Sequence, residues 1–94
     1  MAQHNWTYDN DIVAFYLCRY GLDSLLFDLK TICSKLGMKP GSMRMRVQNF
    51  RFLEFGEGLD HTAQLSKRVF TDYKETTQPD HYNKVKAQLS GMDW

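Results

Sequence analysis

A basic segment of the chain carries side chains that hydrogen-bond to nucleic acid. Between positions 35 and 51 there is no acidic residue, and the basic residues are Lys35, Lys39, Arg44, Arg46 and Arg51. Ser42, Gln48 and Asn49 stand among them. Arginine binds phosphates and guanine edges, and glutamine or asparagine pairs with adenine. The alternative is a solvated helix face whose charges are compensated by acids nearby.

The spacing of apolar residues predicts that these side chains lie on one helix, over about residues 40–53. Pro40 suits a first helical turn, where its missing N–H does no harm. Met43, Val47 and Phe50 recur at helical spacing and define the inward face. At 100° per residue, the remaining positions lie outward or on the two flanks. Gly41, Met45, Gln48 and Phe52 point outward, Arg44 and Arg51 line one flank, and Ser42, Arg46 and Asn49 line the other.

We therefore predict a DNA-contacting surface on this helix. Its residues are Lys39, Ser42, Arg44, Met45, Arg46, Gln48, Asn49 and Arg51. Three alternatives remain open at this point. Met45 and Phe52 pack on a later helix and leave no outward face, or Asn49 caps the loop that follows. In the third, the arginines pair with Glu54, Glu57 and Asp60.

Composition and periodicity predict an all-α fold, a small bundle of about five helices in a single domain over 1–94. Leu and Met number 15 against 6 for Ile and Val, which favours helices over strands. Thr7 is expected to cap a helix over 8–20, and Asp23 or Ser24 a helix over 24–36 that ends at Gly37. The helix over 24–36 and the basic helix over 40–53 form a helix-turn-helix pattern over about 24–53. Ser66 is expected to cap a fourth helix.

An additional C-terminal helix is predicted over about 79–91. Its apolar stripe consists of Tyr82, Val85, Leu89 and Met92, with Trp94 beyond it. The stripe either folds back on the first and fourth helices or pairs with its two-fold mate in a homodimer, which we slightly favour. The predicted core is Trp6, Tyr16, Leu29, Ile32, Val47, Phe50 and Phe70, with Val47 and Phe50 facing Leu29 and Ile32.

Several of these segments resemble a known family. Trp6-Thr7, the run Leu36-Gly37-Met38-Lys39-Pro40, the run from Ser42 to Phe50 and the ending Gly58-Leu59…Leu65…Val69-Phe70 resemble the N-terminal helical module of HNH-type restriction endonucleases. The Trp-Thr opening is more loosely similar to Myb-like domains. The resemblance covers about residues 6–75 and implies recognition of nucleic acid by a stand-alone module. No nuclease domain follows it here, and Lys39 replaces the Ser or Thr expected before the proline.

Enzymatic function is not expected, because the residues that catalysis needs are not grouped. His4, His61 and His81 are scattered, and Cys18 and Cys33 fit neither a zinc site nor a disulfide framework. We expect no catalytic residues, no metal and no cofactor.

Two function classes remain. The first is a stand-alone DNA-binding regulator or recognition module of a phage or mobile element. The second is a small phage-type protein that binds and inhibits a host protein complex, which the net charge of only +1 favours. Neither a membrane span nor a secretory signal is visible in the sequence, so we expect a cytoplasmic protein, or a nuclear one if the source is eukaryotic.

Overall fold

The computed structural model describes residues 6–22, 25, 28–56 and 64–89. Within these ranges the chain forms five α-helices and no strand, which confirms the predicted all-α bundle. The helices are α1 (Tyr8–Tyr20), α2 (Leu29–Leu36), α3 (Pro40–Phe55), α4 (Gln64–Tyr73) and α5 (Gln78–Gln88).

Helix α1 is the centre of the bundle. It packs against α3, α4 and α5, and α3 packs in addition against α2 and α4. Seven consecutive residues of α1, from Asp11 to Leu17, are buried. A helix that is buried on every side must be covered by neighbours all round, rather than along one stripe. The alternative that α3 is the central helix is therefore wrong.

The ends of α1, α3 and α5 follow local signals in the sequence. The Thr7 side chain accepts a hydrogen bond from the Asn10 amide and caps α1, as predicted. Helix α3 begins at Pro40 without a side-chain cap at Lys39. Thr77 caps α5, which ends at Gln88. Met92 and Trp94 lie outside the described residues.

Two predicted caps are wrong. Helix α2 begins at Leu29, later than the predicted 24, because Asp28 is extended and its carboxylate accepts a hydrogen bond from the Thr31 amide. This bond stabilises the charged form and lowers the pKa of Asp28. Asp23 and Ser24 lie outside the described residues. Ser66 does not cap α4 but lies inside it, fully buried.

The turn between α2 and α3 is as short as predicted. Gly37 adopts a left-handed conformation at φ 77°, and its amide bonds to carbonyls of the last turn of α2. A side chain at this position would be strained, so glycine permits α3 to begin three residues later.

The core differs from the prediction mainly in what Phe50 contacts. Tyr16, Ile32 and Phe50 are fully buried, whereas Trp6, Leu29, Val47 and Phe70 are half-buried around them. Phe50 stacks on Phe15 of α1, with ring centroids 4.9 Å apart, instead of facing α2 alone. Helix α3 is therefore held chiefly by α1.

The C-terminal stripe belongs to the interior of the single chain. Val85 and Leu89 are 0% exposed, and Tyr82 lies against the ring of Tyr16. Val85 and Leu89 therefore follow the alternative in which the stripe folds back on the chain, while Met92 lies outside the described residues and the homodimer stays a prediction. The stripe packs on α1 because α1 presents apolar side chains on every side.

A buried histidine fastens α5 to α1. His81 Nε2 donates to the Ile12 carbonyl oxygen at 2.8 Å, and Arg19 lies 3.4 Å from His81 Nδ1. Arg19 also donates to the carbonyl oxygens of Tyr73 and Thr76. Desolvation lowers the pKa of His81 from 6.5 to about 4. The charge of Arg19 lowers this pKa further, and the hydrogen bond to Ile12 acts in the opposite direction. The imidazole is thus a neutral hydrogen-bonding group in the core.

Candidate nucleic-acid interface

One face of α3 is open to solvent along its whole length. We call it the exposed α3 face, and its residues are Gly41, Arg44, Met45, Gln48, Arg51 and Phe55. They recur at the three- and four-residue spacing of one side of a helix. Lys39 is exposed immediately before the helix begins. Of the predicted DNA-contacting residues, the structure therefore brings together Arg44, Met45, Gln48 and Arg51 on one face, with Lys39 exposed before the helix begins.

The opposite flank of α3 is turned into the molecule. Ser42, Arg46 and Asn49, all predicted to contact DNA, are half-buried. Arg46 Nε and Nη2 donate to the two carboxylate oxygens of Asp11, at 2.6 and 2.8 Å. Its guanidinium also lies 4.5 Å from the centre of the Trp6 ring. We correct the prediction for Arg46, because its charge is bound by a buried carboxylate and it is not an uncompensated arginine.

Asn49 is not a cap in the part of the chain that the structure describes. Its Oδ1 atom is buried and accepts no hydrogen bond there. An unpaired buried oxygen is a cost to folding. The predicted readout of adenine by Asn49 has no geometric support, since the acceptor is withdrawn from the surface.

The two remaining arginines of α3 have different surroundings. Within the described ranges, Arg44 takes part in no ion pair or hydrogen bond, and its neighbour Gln48 in no hydrogen bond. The Arg51 guanidinium lies 5.8 Å from the centre of the Phe55 ring. Glu54, the only acid of α3, accepts a hydrogen bond from the Cys18 thiol of α1, with Sγ and Oε2 3.9 Å apart. Pairing of these arginines with Glu54 is not observed, and Glu57 and Asp60, the other acids of that alternative, lie outside the described residues.

Further basic side chains lie on α2, the helix that precedes α3. Lys30 and Lys35 are exposed and, with Thr31 and Ser34, line a shallow depression of about 540 Å³. A second depression of about 320 Å³ lies between α1, α2 and α3, where Leu29 and Val47 form part of the wall and Arg44 and Gln48 the edge. Residues 28–56 thus carry six basic and two acidic side chains.

Two structural roles were not predicted from the sequence. Asp11 binds Arg46 and holds α3 against α1, and His81, predicted only as one of a scattered set of histidines, joins α5 to α1. The signal for Asp11 was available, because the six residues that follow it are all apolar or aromatic. Such an unbroken run predicts a helix that is covered on all sides. A carboxylate at the start of this run, such as that of Asp11, is then buried and needs a cation beside it.

Burial disfavours the thiolate at both cysteines. It raises the pKa of Cys18 to about 11, with a smaller contribution from Glu54, and it also raises the pKa of Cys33. Among the described residues, no three His, Cys, Asp or Glu side chains are grouped as a metal site. The same residues include no helix with the length and apolar character of a membrane span.

Comparisons with family models, with curated proteins and with solved structures returned no match to this chain. The resemblance to the restriction-endonuclease module therefore stays a prediction.

Proposed function

We propose that this protein binds double-stranded DNA through the exposed α3 face. The observation that carries the proposal is the placement of Arg44, Gln48 and Arg51 together on the solvent side of one helix. Glu54, the one acid of α3, is also exposed, but it lies at the edge of this side, about 120° round the helix from Gln48 and about 60° from Arg51. An α-helix fits the major groove of B-DNA, where arginine and glutamine distinguish guanine from adenine.

Each group on this surface has a chemical role in the proposed complex. Arg44 and Gln48 contact base edges, and the exposed Met45 side chain makes apolar contact with a thymine methyl group. Lys39, which is exposed immediately before α3, neutralises a phosphate at the edge of the groove. The proposal assigns no catalytic step to these residues.

The arrangement of α2 and α3 supports a helix-turn-helix mode of docking. Gly37 makes the connection short, and α3 offers its solvent face over the first three turns. The resemblance to the restriction-endonuclease module points in the same direction. The proposed biological role is a stand-alone regulator or recognition module of a phage or mobile element, acting in the cytoplasm.

A protein partner is the second candidate, and one observation favours it. Met45 and Phe55 on the exposed α3 face are each 57% exposed. Exposed apolar side chains rimmed by polar ones are typical of surfaces that bind proteins. A small inhibitor of a host complex would use the same helix face against that complex.

The deciding experiment compares two double variants of equal net charge. Arg44→Ala with Arg51→Ala removes both arginines of the exposed α3 face. Lys67→Ala with Lys84→Ala removes two exposed charges from α4 and α5 and serves as the control. Binding to a mixed-sequence duplex is measured by fluorescence anisotropy over a range of salt concentrations.

We expect the arginine variant to weaken duplex binding and to reduce the salt slope by about one for each phosphate that it no longer neutralises. Its thermal midpoint stays close to that of the wild type. Equal weakening in the control variant would contradict a localised interface. Absence of duplex binding by the wild type at low salt overturns the proposal and leaves the protein partner.

A further inference from the structure

Phe55 ends the exposed α3 face with an aromatic ring in water. Among the described residues, only Phe55 and Met45 are large apolar side chains left well exposed. The Phe55 side chain points away from the bundle, although α3 packs against three other helices.

Phe55 lies in line with the polar groups of the proposed DNA surface. Arg44, Gln48, Arg51 and Phe55 follow one another at intervals of four, three and four residues. At 1.5 Å per residue, Phe55 lies about 16 Å along the helix axis from Arg44. The first part of α3 therefore presents base-reading side chains, and its last turn presents an aromatic ring.

The ring carries a cation beside it. The Arg51 guanidinium lies 5.8 Å from the Phe55 ring centre, and no ion pair within the described residues occupies that guanidinium. Proteins that bind single-stranded nucleic acid contact it in two ways: basic side chains bind its phosphates, and aromatic rings stack on its bases. Arg51 and Phe55 offer these two kinds of group. In a continuous duplex the faces of the bases are stacked on one another, so this ring has no base face to meet.

We propose that Phe55 and Arg51 bind an unpaired nucleotide next to the duplex that α3 contacts. The base stacks on the Phe55 ring, and its phosphate pairs with Arg51. The preferred ligand is then a duplex interrupted by a single-stranded gap, rather than a continuous duplex. This inference rests on the proposed binding of DNA by α3.

The test compares two DNA ligands that differ only in the gap. One is a continuous duplex, and the other has the same sequence and ends but lacks a few nucleotides of one strand. Affinities of the wild type, Phe55→Ala and Phe55→Trp are measured by anisotropy at one salt concentration. Met45→Ala is the matched control, because Met45 has the same exposed fraction as Phe55 on the same face.

We expect the wild type to bind the gapped duplex about 5- to 100-fold more tightly, as stacking of a single base provides. Phe55→Ala loses this preference, so the ratio of its affinities for the gapped and the continuous duplex falls to about one. Phe55→Trp retains the preference because indole also stacks, and Met45→Ala retains it because the ring is intact.

Four results would overturn the inference. If the wild type binds both ligands equally, the inference is overturned but the proposed binding of duplex DNA stands. If the wild type binds neither ligand, the inference and the proposed function are both overturned. An equal drop in affinity for both ligands in Phe55→Ala assigns Phe55 to the duplex interface instead. A wild-type dimer in light scattering that Phe55→Ala converts to a monomer assigns the ring to a second copy of the chain.

Discussion

Arg46 of α3 and Asp11 of α1 form a bidentate ion pair, with N–O distances of 2.6 and 2.8 Å. Asp11 is 0% exposed, and Ser66 of α4 adds a hydroxyl 3.4 Å from the same carboxylate. One carboxylate thus joins three helices. The pair also fixes how α3 is rotated about its axis, because it draws the flank that contains Arg46 toward the core and leaves Arg44 and Gln48 in solvent.

Removing one partner of this ion pair should destabilise the protein strongly. We expect Arg46→Ala to lower the free energy of unfolding by roughly 3–5 kcal/mol, because Asp11 would remain buried without a cation. Urea denaturation measures the change. Arg44→Ala is the matched control two residues away, and its change should stay within about 0.5 kcal/mol because Arg44 is exposed. Equal stability of the two variants would show that the Asp11 carboxylate is not buried in solution.

Phe50 and Phe55 provide a second matched pair on α3. Phe50 is 0% exposed and stacked on Phe15, so Phe50→Ala should cost roughly 3–5 kcal/mol of unfolding free energy. Phe55→Ala removes the same side chain from an exposed position and should change stability by about 0.5 kcal/mol or less. The prediction is checked by comparing the denaturation midpoints of the two variants with that of the wild type. A Phe50→Ala protein that melts like the wild type would mean that the buried face of α3 has been assigned backwards.

The buried His81 predicts a loss of stability in acid. The folded protein holds the pKa of His81 at about 4, below its usual 6.5, so the unfolded chain binds a proton first as the pH falls. The contribution is fully present above pH 6.5 and is lost as the pH falls through about 4. It amounts to roughly 3 kcal/mol.

The measurement is the unfolding free energy of the wild type and of His81→Gln between pH 8 and about pH 4. The glutamine amide donates to the Ile12 carbonyl oxygen but does not titrate. His4 and His61 are present in both proteins, so the difference between the two profiles isolates His81. Parallel profiles would contradict a neutral buried imidazole.

Truncation after Gln78 should unfold the protein. The deletion removes His81, Val85 and Leu89, which are 0% exposed and cover α1. Removal of several core side chains at once exceeds the stability of an ordinary small domain. Circular dichroism with a thermal scan detects whether a cooperative transition remains. A truncated protein that stays folded as a monomer would place α5 outside the cooperative core.

Much of the fold follows from the sequence because the signals are local. Thr7 and Gly21 set the limits of α1 through hydrogen bonds that span only a few residues, and the ring of Pro40 suits the first turn of α3. Periodicity alone identified Met43 and Phe50 as buried and Gln48 as exposed. The start of α2 shows the limit of this reasoning. Asp28 caps the helix, but Asp23 and Ser24 are residue types that cap helices equally well.

The tertiary structure decided which flank of α3 faces solvent. Both flanks carry arginine, and neither periodicity nor composition distinguishes Arg46 from Arg44. Asp11 makes the distinction from 35 positions away along the chain, because burying a carboxylate in the central helix requires a cation and only one flank of α3 reaches it. By itself, the sequence determined that α3 is a basic amphipathic helix. Packing around α1 determined which of its charges remain available to a ligand.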